Sequence, residues 1–255
     1  MLKVGIFGAT GRVGRLLIEE ILNHKHFALS SVYVRNELQY SLPSSTMVTR
    51  DFAIFVQSSD VVIDFSSPEA TKTLLEAAIA APTPLVIGTT GLDSDTQHLL
   101  EEASHTMPIL YATNMSKGVA VLNKIVGLVA NTLKESDIEI CEIHHRHKKD
   151  APSGTALTLA QTCASARNLK LSDVRISGRN GMIGERSKDE IAVMSLRGGD
   201  VSGRHTVGFY LDGEYLELTH NATSRLTFAK GALDMAGWIV RQENGLYSIQ
   251  DALCL

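Results

Sequence analysis

The sequence predicts an α/β protein, with a parallel sheet covered by helices on both faces and a second α+β domain containing a mostly antiparallel sheet. Two observations carry this. The first 115 residues alternate short apolar runs with helical stretches, the rhythm of a parallel sheet. After Asn114 that rhythm breaks, and from Asp173 onward strand signals follow one another with turns between them.

The first part reads in order. Apolar runs at Leu2–Phe7, Ala28–Val34, Val61–Phe65, Leu85–Ile87 and Ile109–Tyr111 predict strands. Between them, Gly14–Asn23, Pro68–Ala81 and Ser94–Ser104 predict helices. Ser67 stands where a helix cap should, with Pro68 at the first helical position and Glu69 near the positive helix end. Beyond Asn114, a helix is predicted over Gly118–Lys134, a strand over Ile138–Ile143 and a helix from Thr155. Strands follow at Ile191–Leu196, Thr206–Leu211 and Tyr215–Thr219, the last two joined by the hairpin turn Asp212-Gly213. Gly178–Asp189 is glycine-rich and charged, a long functional or mobile loop. A closing helix over Thr227–Arg241 carries the single tryptophan, Trp238. The domains are therefore expected at 1–115 with 225–255, and at 116–224.

Composition narrows the function classes. Apolar residues make up 44% and charged residues 20% of the 255, an ordinary globular balance. The net charge of −4 gives no basic field for nucleic acid. The longest apolar candidate, Val119–Leu133, is broken by Asn123, Lys124 and Asn131, so no membrane span is expected. The chain starts in a strand-like run without a signal core, which points to the cytoplasm. Cys141, Cys163 and Cys254 are widely spaced and are expected to be reduced core thiols.

Gly8-Ala9-Thr10-Gly11-Arg12-Val13-Gly14 lies between the first strand and the first helix. Glycines there permit a tight turn and close backbone approach, and the helix N-terminus offers free N–H groups to a pyrophosphate. This makes the first domain a Rossmann-like dinucleotide-binding domain. The second strand ends at Val34-Arg35, where the adenosine ribose is usually read. An acidic residue would favour NADH. Arg35 suits a 2′-phosphate, so NADPH is expected as the preferred cofactor and NADH as the second. Gly88-Thr89-Thr90-Gly91 and Ala112-Thr113-Asn114-Met115 follow strands at their carboxyl ends, where such sheets bind ligands. Turn chemistry alone accounts equally for both tetrapeptides.

The most informative stretch runs from Glu142 to Ala156. Three histidines, one arginine and two lysines fill His144–Lys149 at a strand end. Continued as a strand, this run would place His144, Arg146 and Lys148 on one face, with His145 and His147 on the other. Pro152-Ser153-Gly154-Thr155 opens a helix whose N–H groups suit a carboxylate or phosphate. A cation beside that cradle suits an anionic substrate, and a nearby histidine can supply a proton near neutral pH. The bland readings are a solvated basic face and an ordinary Ser cap. No cysteine completes a metal set with His145 and His147, and the adjoining cations repel a metal, so none is expected.

The runs Glu142–Lys148 and Asp150–Ala156 closely resemble the signature of the dihydrodipicolinate reductase family. The resemblance extends to the Gly8–Gly14 loop, Ile63–Ser66, Val86–Gly91, Asn114–Ser116, Gly184–Arg186 and Arg225–Ala229. It implies an NAD(P)H-dependent reductase of the diaminopimelate route to lysine, acting on a small dicarboxylate. It further implies His144 as proton donor and Lys148 as the assisting cation facing the substrate. His145, Gly154 and Thr155 would hold a substrate carboxylate, with Ser153 alongside, and the assembly would be a homotetramer built through the second domain. This chain departs from the pattern at Val34, where some members are acidic, and at Ser67, where some carry arginine; the Arg35–Val61 connection also looks short. Two rivals stand beside this reading. A short-chain reductase would need Tyr-x-x-x-Lys, and no tyrosine here has a lysine four residues on. A redox-sensing regulator that binds NADP without turnover would have no need of the 144–155 cluster.

Overall fold

The computed structural model describes residues 1–255 and divides them into two compact units, Met1–Lys117 with Leu226–Leu255, and Gly118–Arg225.

The first unit opens with β1 (Leu2–Phe7), α1 (Arg12–Leu22), β2 (Phe27–Tyr33), β3 (Met47–Thr49) and α2 (Phe52–Gln57). It continues with β4 (Val61–Asp64), α3 (Pro68–Ala80), β5 (Leu85–Ile87), α4 (Ser94–Ser104) and β6 (Pro108–Tyr111). All residues of β4 and β5 are buried, as expected of strands covered on both faces. Ser67 caps α3 by accepting from the Ala70 N–H, with Pro68 in the first turn, as its sequence predicts. β3 and α2 fill the Arg35–Val61 connection, for which the sequence reading offered no element.

The second unit holds α5 (Lys117–Thr132, its first residue still in the first unit), β7 (Asp137–His144), α6 (Gly154–Ala166), α7 (Leu171–Val174) and β8 (Arg175–Ile176). β9 (Ile191–Arg197), β10 (Gly203–Leu211) and β11 (Glu214–Ala222) complete it. The chain then returns to the first unit with α8 (Leu226–Ile239), β12 (Gly245–Tyr247) and α9 (Ile249–Leu253).

The first sheet is wholly parallel, in the order β12-β6-β5-β4-β1-β2-β3. Strand order reverses between β1 and β4, and in open sheets of this kind the crevice outside the carboxyl ends at that point receives the ligand. α8 packs on α1 and on the sheet.

The second sheet runs β11-β10-β7-β9-β8. Its long pairings, β11 with β10 and β10 with β7, are antiparallel; β7 with β9 and β9 with β8 are parallel. Leu211 pairs with Glu214 across the predicted Asp212-Gly213 turn, with Gly213 at φ +87°. Ile138, Ile140, Val193, Val207 and Phe209 form a core with Leu122 and Val126 of α5 and Leu159 and Cys163 of α6. The Gly178–Asp189 loop is tied to the sheet: Arg179 donates to both oxygens of Glu139 (2.9 and 2.7 Å), and Arg186 to the Glu190 carbonyl (2.6 Å). Of the three cysteines only Cys163 is a core thiol. Cys141 and Cys254 are exposed, since one points outward from β7 and the other ends the chain's last helix.

Candidate active site

In the first unit the glycine loop is shaped by packing as well as by any ligand. Gly8 has φ +88°, and a Cβ there would stand 2.3 Å from the Phe65 carbonyl oxygen. A Cβ on Gly14 would stand 2.2 Å from the Gly8 carbonyl oxygen, so Gly14 lets α1 sit against the loop. The Gly11 N–H closes the turn onto the Gly8 carbonyl (2.9 Å). No side chain caps α1, and its first turn carries no acid, which leaves that end of the helix suited to an anion.

A cavity of about 640 Å³ opens beside this loop, lined by Gly8, Ala9, Thr10, Gly11, Val34, Arg35, Asn36, Phe65, Ser66, Ser67 and Glu69 among others. That size and the glycine wall fit a dinucleotide. Arg35 and Glu69 are its charged lining, so a cation and a carboxylate share the part expected to meet the adenosine ribose. Tyr40, which the sequence reading did not single out, donates from its hydroxyl to the Ala9 carbonyl (2.8 Å), with the Arg15 guanidinium 5.2 Å from its ring centre.

Arg12 and Val13 lie in the first turn of α1 and do not line this cavity. Nor do Gly88, Thr89, Thr90 or Ala112–Met115, which follow β5 and β6. The Thr89 hydroxyl accepts from the Ser66 N–H (3.0 Å), and the Ala112 N–H reaches the Ile87 carbonyl (3.1 Å), so these turns join at the strand ends. Beneath them, wholly buried Asp64 accepts from the Ser66 N–H (2.9 Å) and the Thr71 hydroxyl (2.5 Å). Burial pushes its carboxyl up to about 6 against the hydrogen bonds of Ser66, Thr71 and Thr89. The Asn114 side chain accepts from the Ser116 N–H (2.9 Å), and Met115 is buried.

In the second unit, β7 presents Ile138, Ile140, Glu142 and His144 to the buried side, so one face turns from apolar to polar toward its carboxyl end. β7 ends at His144, and the run does not continue as a strand. The His145 N–H takes the Val201 carbonyl (2.7 Å), the Arg146 N–H takes that of Gly199 (3.1 Å), and the Lys148 N–H turns back to His145 (3.1 Å). The expected two-faced arrangement of residues 144–148 is therefore replaced by a turn, with Arg146 and His147 exposed and His145 and Lys148 half-buried. The Lys148 ammonium stands 2.9 Å from Asp150.

Ser153 caps α6, its hydroxyl accepting from the Ala156 N–H (3.2 Å) and meeting His205 Nε2 (3.0 Å). Its own N–H goes to Glu142 (3.1 Å). Buried and engaged at both groups, Ser153 shapes the turn at the start of α6. Gly154 beside it is exposed, with open space where a Cβ would stand. Thr155 is half-buried in the first turn of α6. No three His, Cys, Asp or Glu side chains converge as a metal site.

The sequence reading missed Glu142, Arg197 and His205 as functional groups. Glu142 Oε2 lies 2.6 Å from His144 Nδ1, and Arg197 donates to both Glu142 oxygens at 2.9 Å. Burial alone would raise the Glu142 carboxyl, but the hydrogen bonds from Arg197 and His144 overcome it and hold it at about 2. Burial presses His144 below the usual imidazole value, while Glu142 raises it. His205 is only 3% exposed, and burial and then the charge of His144 bring it down to about 4. Period two on β7 already puts Glu142 on the face of His144. Arg197 and His205 reach that face only through strand register, which no local signal encodes.

Comparison with known proteins gives matches over almost the whole chain. Residues 2–115 match the family model described as dihydrodipicolinate reductase, N-terminus, and residues 118–253 that described as dihydrodipicolinate reductase, C-terminus. A 4-hydroxy-tetrahydrodipicolinate reductase of Helicobacter hepaticus is 86% identical over 253 residues, 99% of each chain. One of Wolinella succinogenes is 62% identical over 254 residues, again 99% of each. Among solved structures, a dipicolinate-bound dihydrodipicolinate reductase from Paenisporosarcina sp. TG-14 has a TM-score of 0.80 at 23% identity, covering 100% of both chains; at that identity the likeness is one of fold.

Proposed function

Because the chain belongs to the dihydrodipicolinate reductase family, it is an NAD(P)H-dependent oxidoreductase that reduces 4-hydroxy-tetrahydrodipicolinate to tetrahydrodipicolinate, and we propose that His144 and Lys148 carry its substrate chemistry. The observation that supports this best is the Glu142–His144 contact at the end of β7, which engages Nδ1 and leaves Nε2 as the proton-exchanging atom. A bound nicotinamide would supply a hydride. The 4-hydroxyl leaves with a ring hydrogen as water, and the unsaturated ring so formed takes up the hydride and a proton, the proton donated by His144 as negative charge builds on the ring. Lys148 stabilises that charge and steers the dicarboxylate, its pairing with Asp150 giving way to the substrate. His145, Gly154 and Thr155 hold a carboxylate at the start of α6, where the bare Gly154 backbone allows close approach.

The cofactor is held by Gly8–Gly14, with Arg35 on the adenosine side and residues 88–90 and 112–115 toward the nicotinamide. NADPH is preferred because Arg35 follows Val34 where a ribose-binding acid would otherwise stand. The pathway is the diaminopimelate route to lysine. The working form is a cytoplasmic homotetramer built through the second unit. Exposed Leu196, Tyr215 and Leu216 on its sheet support the assembly, and the free thiols suit a reducing compartment. No helix is long and apolar enough to cross a membrane.

The test is loss of NADPH absorbance with substrate made in situ from aspartate semialdehyde and pyruvate by the preceding synthase. His144→Ala and Lys148→Ala are expected to lower turnover by about 10² or more with NADPH binding nearly intact. Unchanged turnover in both removes them from the chemistry.

A further inference from the structure

Three adjacent strands bring charge to one point. Register sets Arg197 of β9 beside His144, and His205 of β10 beside Glu142. Glu142 has no exposed surface, and a carboxylate taken out of water needs its full set of partners to remain ionised. It has them. Oε2 meets His144 Nδ1 and Arg197 Nη1, while Oε1 accepts from Arg197 Nη2 and the Ser153 N–H. The Arg197 fork is itself fixed by a second donation to the Asp150 carbonyl (2.5 Å).

Two consequences follow from this one anion. An ionised carboxylate only accepts, so His144 Nδ1 must carry a hydrogen, and Nε2 is left to exchange the substrate proton. The space beside Nε2 is bounded by Gly203, whose absent Cβ would lie 3.0 Å from it. The same carboxylate also holds the Ser153 N–H at the start of α6, the helix proposed to receive a substrate carboxylate. The distance between proton donor and anion cradle is thus set through Glu142.

We infer that Glu142, anchored by Arg197, is a positioning residue for this reduction, holding His144 in one tautomer and orientation and fixing it relative to the start of α6. The inference rests on His144 being the proton donor. The charged and titratable groups facing His144 are Glu142 on its own strand, Arg197 on β9, Lys148 on the following turn and His205 on β10, with His220 beyond His205.

The experiment is the pH profile of kcat for Glu142→Gln and Arg197→Gln, with His144→Ala alongside. Proton donation needs the imidazolium, so activity falls as pH rises through the His144 pKa. Removing the anion in E142Q disfavours the imidazolium and should move that limb down by roughly a unit or more, with kcat lowered ~10-fold or more. Removing the cation in R197Q should move the limb the other way. General damage to the unit would lower kcat in both without opposite displacements. A limb unmoved in E142Q, or displaced the same way in both variants, overturns the inference. Should E142Q fail to fold, R197Q decides alone, an upward displacement supporting it and a fixed limb overturning it. An active H144A would instead overturn the donor assignment itself, whereas a crippled H144A beside a normal E142Q overturns only the positioning role.

Discussion

A methyl group added at Gly231 should do more harm than its size suggests. The new Cβ would lie 1.8 Å from the Met115 carbonyl oxygen and 2.9 Å from its carbon. The obstacle is backbone, which cannot swing aside like a side-chain tip, so α8 or the Met115 turn must shift by more than an ångström. Six residues on, a Cβ at Gly237 would meet only the Phe27 ring, at 3.5 Å, an ordinary contact. Alanine improves helix propensity at either position by about 0.5–1 kcal/mol. At Gly237 nothing opposes that gain. At Gly231 it is set against overpacking, typically about 1–3 kcal/mol and more where backbone must move, for a net loss of about 1–2 kcal/mol. With roughly 2–4 °C per kcal/mol in a chain of this size, Gly231→Ala should melt ~2–8 °C below the parent and Gly237→Ala slightly above it. Circular dichroism melts measure this. An NADPH titration adds the functional half, since Met115 ends the turn after β6, and Gly231→Ala should weaken binding several-fold while Gly237→Ala leaves it unchanged. If the two variants shift the melt in the same direction, the packing argument is wrong.

Two further outcomes are expected. Arg35→Ala should raise the KM for NADPH by about 10-fold and leave that for NADH nearly unchanged, because only NADPH offers the guanidinium a phosphate; equal use of both cofactors by the parent chain would already refute the preference. Asp64 is raised to about 6 by burial from an ordinary value of 3.8, so the folded protein binds its proton more tightly than the unfolded chain does. This group's contribution to stability is therefore complete below pH ~4, declines by up to about 1.4 kcal/mol per unit as pH rises to about 6, and is level above that. Asp64→Asn, nearly isosteric, should flatten that slope in urea unfolding between pH 4 and 6; a slope identical to the parent's would show that Asp64 does not titrate there.

What the sequence made legible follows the range of the interactions. The α3 start needs only Ser67, Pro68 and Glu69, and the β10–β11 turn only Asp212-Gly213; all are local, and all form as predicted. β3 escaped because it is a three-residue edge strand, too short to show a period of two, and its Met47 and Val48 are exposed and join no core. β12 is as short and joins the sheet beside β6. Its helix neighbour, α9, did carry a local signal, the capping box of Ser248 and Asp251. Extending the period of β7 past His144 failed for a different reason: the amides of His145 and Arg146 are satisfied by carbonyls some fifty residues away, at Val201 and Gly199. The same distance explains the candidate site. The Gly8–Gly14 loop and the 144–155 run are contiguous and announce themselves, whereas the partners of Glu142 come from positions 55 and 11 residues away as well as from His144. A short motif can specify which groups react. The direction in which His144 presents Nε2 depends on β9 aligning with β7, and a slip of one residue there would carry the Arg197 side chain to the opposite face and leave Glu142 buried without its cation.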